Sequence, residues 1–214
     1  MKEILNELLK RYPVLKQASL DINAAVKEII KSYEQKGTLF VCGNGGSASD
    51  AEHISGEMLK GFLSKRKLSD KLKEKFKKEL GSCGRDLADK LQYGLKTVCL
   101  SSHPAFITAF MNDVDGTIIF AQQLFAQAVK GDILLGISTS GNAENIYKSM
   151  LTAKVIGVKS ILLTGDNGGR CAEVADITIK VPENETFKIQ ELHLPVYHAI
   201  CAMIEEYFYS EKIK

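Results

Sequence analysis

The sequence predicts an α/β fold: a three-layer sandwich in which a five-stranded parallel sheet lies between layers of helix. Five short apolar runs bounded by turn residues, 38–42, 97–100, 133–137, 160–163 and 177–181, read as strands buried on both faces. Stretches with helical spacing separate them, and strand alternating with helix implies right-handed crossovers and a parallel sheet. A length of 214 residues with 45% hydrophobic and 25% charged content suits one globular domain spanning the chain.

Residues 1–36 read as a helical hairpin interrupted near Pro13, with Ile22, Ala25, Val26, Ile29 and Ile30 at helical spacing. The later helices are expected over 48–63, over 103–129 in two pieces, over 142–156 and over 187–209. Residues 64–95 break the alternation. This lysine-rich stretch ends at Gly81-Ser82-Cys83-Gly84 and is followed by a second short helix from Arg85 to Gln92. It reads as a solvated surface insertion; the sharper alternative is a basic lid beside an anion site.

A formal net charge of +2 is too small to suggest a nucleic-acid partner. No run approaches the roughly 20 apolar residues of a membrane helix. The start, Met1-Lys2-Glu3-Ile4-Leu5, lacks the layout of a signal peptide, so a cytoplasmic location is expected. Five scattered cysteines without a C-x-x-C pair suggest neither a disulfide framework nor a thiolate metal site. Cys42, Cys99 and Cys201 lie in apolar surroundings and read as inert core residues.

Ligands of such sheets sit beyond the carboxyl ends of the strands. The first strand runs into Gly43-Asn44-Gly45-Gly46-Ser47 and then a helix; the spacing fits neither a Walker loop nor G-x-G-x-x-G. Glycines there let a backbone approach a ligand, or simply make a tight turn. The third strand runs into Ser138-Thr139-Ser140-Gly141-Asn142, and three adjacent hydroxyls at a helix start make a cradle for phosphate. A cap by Ser140 or Asn142 would explain one such side chain but not three.

His53 and Glu57 are four residues apart and share a helix face. Gln190, Glu191, His193 and His198 crowd the first half of the last helix. Two helices that each bring an imidazole and an oxygen donor suit acid–base chemistry or a metal such as zinc. Gln190 and His198, however, are separated by about 12 Å along an ideal helix, which strains a shared ion.

Taken together, V-C-G-N-G-G-S-A-S-D-A-E-H at 41–53, G-D-I-L-L-G-I-S-T-S-G-N at 131–142, L-L-T-G-D-N-G-G at 162–169 and I-Q-E-L-H at 189–193 resemble the phosphoheptose isomerase family of the sugar isomerase (SIS) fold. The likeness runs from about 37 to 205 with 64–95 unmatched. It implies an aldose–ketose isomerase that converts sedoheptulose 7-phosphate through an enediol in heptose biosynthesis. It also implies a homotetramer packed through the amino-terminal helices, with sites shared between neighbouring subunits. By the resemblance, Asn44, Gly45, Gly46, Ser47, Asn112 and Asp113 contact the sugar, and Ser138, Thr139 and Ser140 hold the phosphate with Asn142 beside them as a further substrate contact. His53, Glu57, Gln190 and His198 match a zinc-binding set, Gln190 also contacting substrate, and Glu57 and His198 match the catalytic pair.

Three departures touch groups that hold the substrate's ends. Ala143 stands where many members have Ser, Lys60 supplies the charge where many have Arg, and the insertion follows directly. The alternatives are an isomerase of another ketose phosphate, or a non-catalytic SIS module that binds a sugar phosphate or a protein partner.

Overall fold

A computed structural model describes residues 1–210. Helix α1 (Lys2–Arg11) ends at Tyr12, whose backbone is non-helical (φ −127°, ψ 74°) ahead of Pro13. Proline disfavours helical geometry in the residue before it. A 3-10 segment, Pro13–Ala18, leads into α2 (Ser19–Glu34), which buries Ile22, Ala25, Val26, Ile29 and Ile30.

The five strands are β1 (Leu39–Gly43), β2 (Thr97–Cys99), β3 (Ile133–Ile137), β4 (Lys159–Thr164) and β5 (Ile177–Lys180). All pair in parallel in the order β2-β1-β3-β4-β5, with Leu39 opposite both Thr97 and Ile133. Strand periodicity divides the core in two. Leu39, Val41, Leu135 and Leu163 point to one cluster with α2 and the last helix, α8 (Thr186–Tyr209). Phe40, Cys42, Leu134 and Leu162 point to the other. That second cluster holds Phe120 and Leu124 of α6 (Ile119–Gln127) and Ile146 and Met150 of α7 (Glu144–Ile156).

Between β1 and β2 lie α3 (Gly46–Leu59) and α4 (Asp70–Lys90); α5 (Pro104–Phe110) follows β2. Helix α3 stops at Leu59 rather than continuing to 63, because the Glu205 carboxylate takes the backbone amides of Phe62, Leu63 and Ser64 at 2.8, 2.6 and 2.9 Å. Segment 64–95 carries two helical stretches that meet at non-helical Gly81 (φ 62°, ψ −135°), as the sequence predicts, the second starting a few residues before Arg85. Most of it is exposed, yet Arg66 at its start is buried. A π-helical segment, Met111–Asp115, and a 3-10 turn, Gly116–Ile118, join α5 to α6.

No described helix is long and apolar enough to cross a membrane. Cys42, Cys99, Cys171 and Cys201 are buried and all five cysteines are free thiols. Burial pushes the Cys42 thiol up to about 12 and raises that of Cys201, which keeps both protonated and inert.

Candidate active site at the carboxyl ends of β1 and β3

The chain leaves β1 for β2 on one side and then crosses to β3 on the other. The loops after β1 and β3 therefore part at the topological switch point, where α/β sheets open a crevice.

In the first loop Gly45 takes φ 54°, which a glycine adopts without strain, and the Ser47 amide donates to the Asn44 carbonyl at 3.0 Å. Ser101, beyond β2, braces the loop: its hydroxyl donates to the Gly43 carbonyl at 2.9 Å and accepts the Gly43 amide at 3.3 Å. Gln190 lies over the loop. A Cβ added to Gly46 would stand 2.5 Å from Gln190 Nε2, so glycine there makes room for that amide.

The second loop rests on the segment after β4. Ser138 donates its amide to the Leu163 carbonyl at 3.0 Å, and the Thr139 carbonyl accepts the Gly165 amide at 3.0 Å. Asn142 does not cap α7. Its Nδ2 donates to the Ser140 carbonyl at 3.0 Å and its Oδ1 accepts the Arg170 amide at 3.1 Å, while its own amide donates to Ser140 Oγ at 3.2 Å. Arg170 also donates to the Asn142 carbonyl and is paired with Glu144, which holds that carboxyl below its ordinary range. The Ser138 and Thr139 hydroxyls bond no protein atom among the described residues. The first loop is tied across the crevice to the first turn of α7 by reciprocal amide bonds between Asn44 and Asn145, each 2.9 Å.

His53 and Glu57 on α3 meet His198 on α8. His53 Nε2 is 3.3 Å from Glu57 Oε1, and the His53 and His198 rings are edge to face at 5.0 Å. Lys60 holds the other Glu57 oxygen at 3.0 Å, and Phe62 lies against the His198 ring at 5.5 Å. Tyr197 Oη is 3.0 Å from His53 Nδ1. Burial, followed by neighbouring His53, pushes the His198 pKa down, opposed by Glu57. Its Nε2 is buried and has no partner among the described residues. Burial likewise raises the carboxyl pKa of Asp50, one helical turn before His53, where Tyr197 acts to lower it.

The expected residues thus fall into three groups. His53, Glu57 and His198 are neighbours; Asn44, Gly45, Gly46, Ser47 and Gln190 form the first loop and its cover; Ser138, Thr139, Ser140 and Asn142 form the second. Gln190 shares no hydrogen bond with His198. No three His, Cys, Asp or Glu side chains among the described residues converge as ready metal ligands. Asn112 and Asp113 are exposed on the π-helical segment and bond each other at 2.8 Å, with no hydrogen bond to the other candidates.

Sequence reasoning did not single out Asp50, Arg66, Ser101, Asn145, Tyr197 or Glu205. Asp50 was the most accessible of these, since it stands at i, i+3, i+7 with His53 and Glu57.

The SIS domain family model matches residues 4–80. A phosphoheptose isomerase of Helicobacter pylori (strain Shi470) is 35% identical over 184 residues, covering 86% of this chain and 82% of its own. That of a Nitratiruptor species is 35% identical over 207 residues, 97% of each chain. Among solved structures, phosphoheptose isomerase from Neisseria gonorrhoeae superposes with a TM-score of 0.73 at 27% identity, covering 96% of this chain and 98% of that one.

Proposed function

The chain belongs to the phosphoheptose isomerase family, and we propose that it interconverts D-sedoheptulose 7-phosphate and D-glycero-D-manno-heptose 7-phosphate through an enediol. The observation that carries the reading is that His53 lies against both Glu57 and His198, which brings a carboxylate and an imidazole together from two helices.

The chemistry needs a base at carbon and a second group at oxygen. Glu57 takes a proton from C1 of the ketose while the C2 oxygen gains one, which gives the enediol. The O1 proton then leaves, C2 receives the proton from Glu57, and the aldose results. His198, kept neutral by its depressed pKa, has one nitrogen that donates and one that accepts, as a shuttle between O1 and O2 requires. Ser138, Thr139 and Ser140 receive the phosphate at the start of α7, where the helix dipole favours an anion. Asn44, Gly45, Gly46, Ser47 and Gln190 line the sugar's path, with Asn112 and Asp113 as further contacts.

Zinc is part of this proposal. The residues that would hold it are His53, Glu57 and His198, whose imidazoles and carboxylate are of the type zinc takes, with Gln190 as the further member of the set; His198 Nε2 is buried and unpartnered among the described residues. Bound there, zinc would polarise the substrate carbonyl. Since no three ligands converge in the described geometry, the proton transfers above are assigned to side chains alone. The reading further includes a cytoplasmic homotetramer that packs through α1 and α2.

The test is incubation of the purified protein with a panel of ketose phosphates, following aldose formation. Turnover confined to sedoheptulose 7-phosphate supports the proposal. Faster turnover of another ketose phosphate would replace the substrate, and turnover of none would leave a binding module.

A further inference from the structure

Arg66 and Glu205 form a buried ion pair, Nε to Oε1 at 2.7 Å, with side chains 0% and 3% exposed. Neither residue belongs to the groups described above, and the pair does more than neutralise itself. Arg66 Nη1 donates to the Met58 carbonyl at 2.7 Å and Nη2 to the carbonyl of Glu57 at 3.0 Å. These are terminal carbonyls of α3 that no further helical turn satisfies. Glu205, on α8, receives the amides of Phe62, Leu63 and Ser64. Arg66 takes φ 43°, a left-handed backbone unusual for a side chain with a Cβ, and its guanidinium lies over the Tyr209 ring at 4.9 Å.

The loop held in this way carries two contacts to the reacting pair. Lys60 fixes Glu57 Oε2, and Phe62 packs on the His198 ring. Glu205 and His198 are seven residues apart on α8, two helical turns along one face. One ion pair therefore fastens the end of the helix bearing Glu57 to the face of the helix bearing His198.

We propose that Arg66 and Glu205 are positioning residues that set the separation of Glu57 and His198 by tying the carboxyl end of α3 to α8. This rests on the reading of Glu57 and His198 as the proton-transfer pair. Stability alone does not call for such a pair, because buried ion pairs are often replaced by apolar residues without loss. A guanidinium that bridges a carboxylate and two carbonyls instead fixes direction as well as distance. Neither residue contacts the loop at 138–142, so loosening the clamp should disturb proton transfer and leave phosphate binding as it was.

Arg66→Lys is the decisive variant. It keeps a charge for Glu205, but a single ammonium cannot also span both carbonyls. Assayed with sedoheptulose 7-phosphate well below its melting midpoint, where it is folded, the variant should lose about tenfold or more in kcat with KM within about threefold. Glu205→Gln should move kcat in the same direction. If Arg66→Lys does not fold, Phe62→Ala leaves the ion pair in place and should show the same split between kcat and KM. An unchanged kcat, or a loss that only follows the unfolded fraction, overturns the proposal. Glu57→Gln separates the two ideas: if it retains activity, the proton-transfer reading fails first. If it is dead while Arg66→Lys is normal, only the clamp fails.

Discussion

Gly141→Ala probes the contact that joins the second loop to the segment after β4. Gly141 sits at φ 63°, and its carbonyl accepts the Cys171 amide at 2.9 Å. A Cβ there would overlap the Gly168 carbonyl and stand 2.9 Å from the Gly169 nitrogen. Both neighbours are backbone, at φ 72° and 54°, so no side-chain rotation can relieve the clash. The left-handed conformation costs alanine about 1–2 kcal/mol, and overpacking typically adds about 1–3 kcal/mol. The expected loss is then about 2–5 kcal/mol, against a total stability of about 5–15 kcal/mol for a typical protein. Urea unfolding should show a lower midpoint with the slope preserved, and KM for the sugar phosphate should rise because Ser138–Ser140 move with the loop. Gly45→Ala is the control: it shares a positive φ of 54°, with ψ −123°, but its Cβ meets nothing within 4 Å, so only the conformational cost of about 1–3 kcal/mol applies, with no clash added. A Gly141→Ala protein no less stable than Gly45→Ala, with unchanged KM, would refute the reasoning.

Glu57→Gln keeps the shape and removes the base, so kcat should fall by about a hundredfold or more with substrate binding within about tenfold; near-normal turnover would sink the mechanism. His198→Asn should be comparably damaging. Ser140→Ala should weaken sugar-phosphate binding by about 1–3 kcal/mol, the range for a hydrogen bond to a charged group, while a sugar lacking phosphate binds wild type and variant alike. Buried His193, its pKa pushed down to about 4 from 6.5, gains no proton in the folded state where the unfolded chain does. Stability should therefore fall as pH drops from about 6.5 to about 4, by on the order of 3 kcal/mol, and His193→Leu should flatten that part of the pH profile of the urea midpoint. Protein prepared without chelator should carry up to about one zinc per subunit by elemental analysis. No bound metal, with activity unchanged after chelation, would remove zinc from the proposal.

The strands were legible because β1 and β3 are enclosed on both faces, so nearly every position must be apolar, and a run such as Ile133-Leu134-Leu135-Gly136-Ile137 has few other readings. The end of α3 was not. Nothing local in Lys60-Gly61-Phe62-Leu63 announces that its amides leave the helix for a carboxylate far along the chain. Segment 64–95 is largely exposed, as expected, but its start was not legible for the same reason. Arg66 stands among exposed Lys65 and Lys67 and reads as one more surface cation, yet it is buried against Glu205.

The site divides along the same line. His53 and Glu57 are joined by helical spacing, and the two loops by turn chemistry after a strand, all of it within a few residues. What holds these pieces in place is tertiary: Asn44 to Asn145, Ser101 to Gly43, Tyr197 to His53, and Glu205 to 62–66. Glu205 shows the limit most clearly, because Ile204-Glu205-Glu206 offers two adjacent carboxylates with nothing to tell them apart. Helical phase turns neighbouring residues through about 100°, so only one of the two can face α3. Which one does depends on how α8 is rotated, and that rotation is set by the fit of Val196, Tyr197, Ile200, Met203 and Ile204 in the core. The candidate groups are written locally, and the geometry that brings them together is a property of the packed core.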